Sequence, residues 1–313
     1  MDYKTPFISV VSPVYRAEKM VEQLVSRIRS SVTTITDNYE IILVCDGSPD
    51  NSWEAIYLEC QKDSHVKGID LSRNFGQQYA ITAGLSYASG DWVVVMDYDL
   101  QDVPERIPDL YKKAQEGYDI VIVRRIVKNV GLWKKFSSIA FHWAFDLLSG
   151  TKTDPAVSNY GIFKNDVIKV YNNVPSFTRA FRPEIESFGF RKTYFDTEQA
   201  PRAEGHSSYT LSKLLKSALE VIIARTNKPL RMAVAIGFFM SLISFLLALY
   251  NLVAKLVGII TLSGYTTTIF SIWFVGGLIL LVAGVLGLYI GRIFDQVKGF
   301  PSYIVREAVH VKK

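Results

Sequence analysis

Short apolar runs alternate with longer stretches of helical periodicity through the first half of the chain. Phe7 to Val11, Glu40 to Val44, Val66 to Leu71, Trp92 to Met96 and Ile120 to Val123 have the nearly continuous apolar character of strands buried on both faces. Between them, Glu18 to Ser31, Ser52 to Gln61 and Gln77 to Ala88 repeat apolar positions at helical spacing. This alternation predicts an α/β fold around a mainly parallel sheet. Past Gly205 the pattern changes. Leu211, Leu214, Leu215, Ala218, Leu219, Ile222 and Ile223 recur on one helical face, so residues 211–229 read as an amphipathic helix able to lie in a headgroup layer. Phe136 to Leu148 reads either as a second interfacial helix or as one packed on the sheet.

Two charge-free stretches follow, Met232 to Ala254 and Val257 to Gly291, the second interrupted by Thr261, Ser263, Gly264 and Thr266 to Thr268. Each is long enough for the roughly 20 residues that cross a bilayer. They predict a two-helix transmembrane hairpin over 230–291, after a catalytic domain over 1–210 and before a tail over 292–313. Two helices of a soluble bundle would need other long apolar helices to cover them, and none is evident.

Charge orients the hairpin. Arg225, Lys228 and Arg231 precede it and Arg292, Lys298, Arg306, Lys312 and Lys313 follow it, whereas Lys255 alone stands near the hinge. The positive-inside rule places both termini in the cytoplasm, making an integral protein of the inner or plasma membrane. The chain opens directly into its first apparent strand, without the apolar region of a signal peptide. Cys45 and Cys60 form no Cys-x-x-Cys pair, and His65, His142, His206 and His310 are scattered, which argues against a disulfide scaffold or a zinc site. The net charge of +5 suits an anionic membrane surface better than nucleic acid, for which no recognition motif is present.

Candidate chemistry gathers where the predicted strands end. The apolar run Val93 to Met96 stops at Asp97 and Asp99, which an extended chain would put on one side, within reach of one Mg²⁺ or Mn²⁺. Such an ion keeps several waters and takes one or two carboxylates plus substrate phosphates. Pro13-Val-Tyr15, Asp46-Gly-Ser48 and Arg73-Asn-Phe-Gly76 fall on the same rim, where ligands of open α/β sheets bind. Asp46 to Asp50 would serve equally as a turn and helix cap, and Arg73 equally as a surface ion pair. Read functionally, Asp46 contacts a base or ribose, and Arg73 with the helix start meets a pyrophosphate. No Gly-x-Gly-x-x-Gly or Walker loop is present.

Pro13-Val-Tyr15 with Glu18, Asp46-Gly-Ser-x-Asp50, Leu71-Ser-Arg-Asn-Phe-Gly76, Gly84-Leu-x-Tyr-Ala-x-Gly90-Asp91 and Met96-Asp-Tyr-Asp-Leu-Gln-Asp102 together resemble the polyprenyl-phosphate glycosyltransferases of GT-A fold, in glycosyltransferase family 2, relatives of dolichol-phosphate mannose synthase. Gly287 to Phe294 and Pro301-x-Tyr-Ile-Val305 extend the likeness beyond the second apolar stretch. The resemblance implies transfer of a sugar from a UDP- or GDP-linked donor to polyprenyl phosphate, by single displacement with inversion, for envelope glycan modification. It implies that Pro13, Tyr15, Glu18, Asp46 and Arg73 serve the nucleotide sugar, and Asp97, Asp99 and Gln101 the metal and diphosphate. Arg125, Ser137, Ser138, Arg179 and Arg202 would hold the acceptor phosphate, and a homo-oligomer such as a tetramer is implied, with Tyr303 to Val305 as an edge strand for a neighbour. An isoprenoid phosphate has a second pKa near ~6, so the nucleophile is largely ionised without a strong general base.

The chain departs from the pattern in three places. Ser158-Asn159-Tyr160-Gly161-Ile162 stands where relatives carry Gly-Asp-Phe-Arg-Leu, which puts Asn159 at a catalytic carboxylate's position and predicts an altered acceptor or sugar pocket. Ser176 to Ala180 and Gly205 to Tyr209 also differ from the usual elements, and Cys45 stands where an acid is frequent. Two other readings follow from these features. One is an inactive membrane scaffold that binds nucleotide sugar. The other is a processive polysaccharide synthase, suggested by Gln199-Ala-Pro-Arg202 but opposed by a hairpin too small for a translocation pore.

Overall fold

The structure, a computed structural model, describes residues 5–126, 156–174, 180–198, 228–257 and 265–311. They fall into two units. The first is built on strands β1 (Ile8–Val14), β2 (Tyr39–Cys45), β3 (Val66–Leu71), β4 (Trp92–Val95), β5 (Ile120–Ile126), β6 (Val157–Lys164), β7 (Lys192–Glu198) and β8 (Val305–Val309), in the order β7-β5-β6-β4-β1-β2-β3-β8. β1 runs parallel to β2 and β4, β2 to β3, and β5 to β7. β6 is antiparallel to both β4 and β5, and β8 is antiparallel to β3.

Helices α1 (Val21–Val32), α2 (Ser52–Lys62), α3 (Gln77–Tyr87), α4 (Ile107–Ala114), α5 (Asn165–Asn173) and α6 (Phe181–Ser187) cover the sheet. One core layer joins Leu24, Val25 and Ile28 of α1 to Val10, Ile41, Leu43 and Val94. The other joins Ile81 and Ala80 of α3 to Val11, Ile42, Val44 and Val95. Every residue of β1 and β2 is buried. Burial from both sides is why these strands read as apolar runs and not as alternating patterns. Cys45 and Cys60 are buried free thiols, each pushed up to about 12 chiefly by burial, which leaves neither ionised near neutral pH.

The five expected strands are present, β3 with its predicted bounds and the others extended or shortened at their ends. Three further strands go beyond the apolar runs. β6 inserts between β4 and β5, and Gly161 makes this possible, since a Cβ there would lie 2.6 Å from the Val121 carbonyl oxygen. The glycine at this departure from the family pattern therefore has a packing reason, and Tyr160 and Ile162 are core residues. Residues from Pro301, expected within a tail over 292–313, fall in the sheet unit, and Val305–Val309 pairs with β3 of the same chain at the edge of the sheet.

The second unit contains α7 (Lys228–Leu256, 29 residues) and α8 (Tyr265–Val297, 33 residues), which contact each other. Among the described residues, one stretch is long and apolar enough to cross a membrane, Phe274–Gly291 of α8, and α7 carries the shorter apolar stretch Leu230–Met240. The expected hairpin thus has one span that meets this test. The expected hinge around Ser263, the helix predicted over 136–148, all of the helix predicted over 211–229 but Lys228 and Pro229, and the candidate residues Ser137, Ser138, Arg179 and Arg202 lie outside the described residues.

Candidate functional site

Because β1 to β4 run parallel, their carboxyl ends share one rim. Immediately beyond it lies a cleft of about 390 Å³ lined by Pro13, Val14, Tyr15, Asp46, Asn74, Gly76, Gln77, Asp97, Tyr98 and Asp99. Its walls are tied together by Asp46. The Asp46 backbone N–H donates to the Val14 carbonyl at 3.0 Å, while its carboxylate accepts the N–H groups of Phe75 at 2.8 Å and Gly76 at 2.9 Å. Burial raises this carboxyl's pKa, and the two N–H bonds and Arg73 oppose that rise. Asp46 therefore links β1 and β2 to the loop that opens α3.

Gly47 lets that loop approach. Its φ is +56°, and a Cβ would lie 2.2 Å from the Arg73 carbonyl carbon. Gly47→Ala is expected to displace the Arg73 to Gly76 loop, lowering stability by ~2 kcal/mol or more. Thermal melting checks this, and a variant melting like the parent would count against this role for the glycine.

The neighbouring polar residues form a turn. Ser48 Oγ accepts the Arg16 N–H at 2.8 Å and donates to Asp50, and Asp50 also accepts from Ser52 Oγ at 2.6 Å and from the Glu18 N–H at 3.4 Å. Glu18 accepts from Asn51 at 3.2 Å. Glu18 is exposed and does not line the cleft; neither does Arg73, whose guanidinium lies 4.2 Å from the Phe75 ring centroid. Thus the turn reading describes Ser48 and Asp50, while Pro13, Tyr15 and Asp46 face the cleft.

The acidic pair reaches the cleft differently from expectation. β4 ends at Val95, and the chain from Tyr98 turns, with Leu100 at φ +57°. Asp97 and Asp99 therefore share the cleft through a turn and not through strand alternation. Gln77 Nε2 donates to Asp97 Oδ1 at 2.5 Å, and the Gln101 N–H donates to Asp99 Oδ1 at 3.1 Å. Asp97 is half-buried at the cleft wall, and its pKa is pushed up to about 7, first by burial and then by repulsion from Asp102 and Asp99.

Gln101 is buried and lines a separate small cavity with Asp102, Arg125, Tyr160 and Thr197. The expected trio Asp97, Asp99 and Gln101 is thus divided between two sides of the turn. Arg125 Nη2 donates to Asp102 Oδ1 at 2.7 Å. Asn159 is half-buried on β6 and is not among the cleft-lining residues. Asn74, Gln77 and Tyr98 carry no sequence signal of their own, although Asn74 and Tyr98 sit within motifs that do and Gln77 directly follows one.

The model of the glycosyl transferase family 2 matches residues 9–183, the segment that supplies this cleft. This chain belongs to that family. An uncharacterized glycosyltransferase of Bacillus subtilis (strain 168) is 35% identical over 311 residues, covering 97% of this chain and 94% of that protein. The undecaprenyl-phosphate 4-deoxy-4-formamido-L-arabinose transferase of Proteus mirabilis (strain HI4320) is 33% identical over 313 residues, covering 98% and 95%. Glucosyl-3-phosphoglycerate synthase from Mycobacterium tuberculosis, crystallised with Mn²⁺, UDP and phosphoglyceric acid, shares the GT-A fold with a TM-score of 0.50 at 18% identity, over 70% of this chain and 77% of that one. The family 2 protein is accordingly a glycosyltransferase, with an α/β GT-A domain whose sheet is mostly parallel.

Proposed function

We propose that this glycosyltransferase transfers a sugar from a nucleoside-diphosphate donor to polyprenyl phosphate at the cytoplasmic face of a membrane. The observation that carries the reading is the cleft at the strand ends, where Asp97 and Asp99 stand opposite the start of α3. The relative from Proteus mirabilis, named for an undecaprenyl-phosphate acceptor, supports it through likeness over nearly the whole chain, apolar helices included.

The donor set fits a divalent ion. Among the described residues, no three His, Cys, Asp or Glu side chains come together to hold a metal unaided. Two carboxylates, completed by diphosphate oxygens and water, are the usual arrangement for Mg²⁺ or Mn²⁺. Crowding of Asp97 by Asp99 and Asp102 is the charge imbalance that a cation relieves. When bound, the ion would neutralise charge developing on the departing diphosphate. Gln77 orients Asp97, Asp46 fixes the loop that faces the phosphates, and Tyr15 and Pro13 wall the nucleotide end. An oxygen of the acceptor phosphate attacks the anomeric carbon, the bond to the diphosphate oxygen breaks, and the nucleoside diphosphate leaves with inversion. Arg179 and Arg202, with Ser137 and Ser138, are the proposed partners of the acceptor phosphate.

Sheet topology supports a two-span anchor by parity. β7 precedes and β8 follows the two long helices, and both strands belong to one sheet, hence to one side of any membrane. The chain between them must then cross an even number of times. If Phe274–Gly291 crosses once, a second crossing is required, and α7 at 29 residues is ~43 Å long against a hydrocarbon core of ~30 Å. The basic residues at the outer ends of the pair favour the cytoplasm for the catalytic unit.

Full-length protein in detergent, given undecaprenyl phosphate, Mn²⁺ and a panel of UDP- and GDP-sugars, is expected to form a lipid bearing one sugar, detected by mass spectrometry. EDTA should stop the reaction. A polymeric product, or donor binding with no turnover on any isoprenoid phosphate, would overturn the proposal.

A pH dependence follows from Asp97. Its carboxyl holds a proton to about pH 7 in the metal-free fold but only to ~3.9 in an unfolded chain, so this group's contribution to metal-free stability declines as pH rises through that window. Metal binding must displace the proton, so Mn²⁺ affinity should fall by up to ~tenfold per pH unit below about 7. Electron paramagnetic resonance titration with Mn²⁺ between pH 5.5 and pH 8 measures this, and a flat profile would contradict it.

A further inference from the structure

Neither Arg125 nor Asp102 is among the described residues that line the cleft; the Asp102 side chain is closed off from solvent, and that of Arg125 is 22% exposed. Asp102 is 1% exposed. Its Oδ1 accepts from Arg125 Nη2 at 2.7 Å, and its Oδ2 accepts the backbone N–H of Asp97 at 3.2 Å. Arg125 itself is fixed on a strand, since its own N–H donates to the Ala156 carbonyl at 2.7 Å and it pairs in register with Thr197 of β7. A continuous path of polar contacts therefore runs from β5 through Arg125 and Asp102 to the backbone of a cleft acid.

The turn needs such a path. Beyond Met96, whose N–H still donates to the Val11 carbonyl at 3.1 Å, no ladder bond among the described residues holds it, and it contains a leucine in the left-handed region at φ +57°, a conformation that persists only where surroundings enforce it. Tyr160 fixes its far end by donating to the Val103 carbonyl at 2.9 Å. The cavity that Arg125 lines with Asp102, Gln101 and Tyr160 is about 10 Å³, at the lower limit for one water and far too small for a phosphate.

We propose that Arg125 and Asp102 are positioning residues that hold Asp97 and Asp99 at the spacing the donor's diphosphate and cation require, with Arg125 acting through Asp102 and not on the acceptor phosphate. This rests on the reading of Asp97 and Asp99 as the acids that serve a bound divalent ion.

The test uses full-length protein in detergent and three variants, Arg125→Gln, Asp102→Asn and the double substitution, with Mn²⁺ affinity measured by electron paramagnetic resonance in the presence of UDP and no acceptor. Each single substitution should weaken Mn²⁺ binding by ~10- to 100-fold, the range for residues that orient metal ligands. The double variant should be no worse than the weaker single, because both act on one path. It also removes both members of the ion pair together, leaving neither charge unpaired, so it keeps the test open should a single variant fail to fold. Arg125→Lys, which keeps the charge but not the planar fork, should fall between parent and Arg125→Gln. The KM for undecaprenyl phosphate should stay within about twofold throughout.

An Arg125→Gln variant with parental Mn²⁺ affinity and a tenfold higher acceptor KM would overturn the proposal in favour of direct phosphate contact. Additive losses in the double variant would overturn the single path. Parent protein that binds no Mn²⁺ with UDP would overturn the metal reading, and this proposal with it.

Discussion

Asp99→Ala is expected to lower sugar transfer by about a thousandfold or more while leaving the melting temperature of the catalytic unit nearly unchanged. Asp99 lines the cleft in a turn, half-buried, and among the described residues its carboxylate accepts one backbone N–H, that of Gln101 at 3.1 Å. Losing that bond costs the fold only ~1 kcal/mol. The chemical cost is larger. A divalent ion contributes several kcal/mol of stabilisation to a departing diphosphate, and each ~1.4 kcal/mol is a factor of ten in rate. Asp97→Ala should be similarly inactive, while its effect on the fold sets loss of the Gln77 bond against relief of the repulsion from Asp99 and Asp102. Steady-state transfer to undecaprenyl phosphate, paired with thermal melting, separates the two effects. Parental turnover by Asp99→Ala would remove the basis for assigning the acids to the donor.

The second large effect is expected far from the cleft. Arg306→Ala should destabilise the sheet unit by about 2–3 kcal/mol, lowering its melting temperature by roughly 5–10 °C. Asp70 on β3 is fully buried, and Arg306 Nε of β8 donates to its Oδ2 at 2.5 Å, with a second contact from the same guanidinium. Burial raises the Asp70 pKa, and Arg306 is the main influence drawing it back down. Without Arg306 a buried carboxylate is left facing β8 with no cation.

The figure lies below the ~3–5 kcal/mol of a fully enclosed broken pair, because the Arg306 side chain is 59% exposed and water can enter in its place. The penalty should shrink as pH falls, since protonation of Asp70 removes the unpaired charge. Melting curves of the variant at pH 8 and pH 5.5 check the sign, and a difference from the parent that grew on acidification would contradict it.

Much of the site is legible in the order of residues alone. Strand-end position singles out Pro13, Tyr15, Asp46, Asp97 and Asp99, and the fold gathers all five at one cleft. Parallel strands explain this, because their carboxyl ends share a rim whatever lies between them in sequence. Family resemblance assigns Gln101 to the cation and Arg125 to the acceptor; in the fold both line the small cavity behind the acids, a placement the sequence does not announce. Which way a side chain leaves a turn depends on the backbone angle of a single residue, here Leu100, and a string of residue types does not carry that angle.

The chain's own sequence determined its α/β class, the five strands that read as apolar runs, helices α1 to α3, the two long apolar helices and the family. All of these rest on local pattern, on burial from both faces that leaves contiguous apolar residues, or on motifs a few residues long. Tertiary structure alone decided that β6 enters antiparallel between β4 and β5, that β8, which follows the long helices in sequence, pairs with β3, and that Asp102 joins Arg125 to the acidic turn. These depend on pairing between distant segments. β7 and β8 are edge strands with exposed charged positions, and the apolar residues of β6 are interrupted by Ser158, Asn159 and Gly161, so none of the three shows in sequence the uninterrupted apolar run by which a strand announces itself.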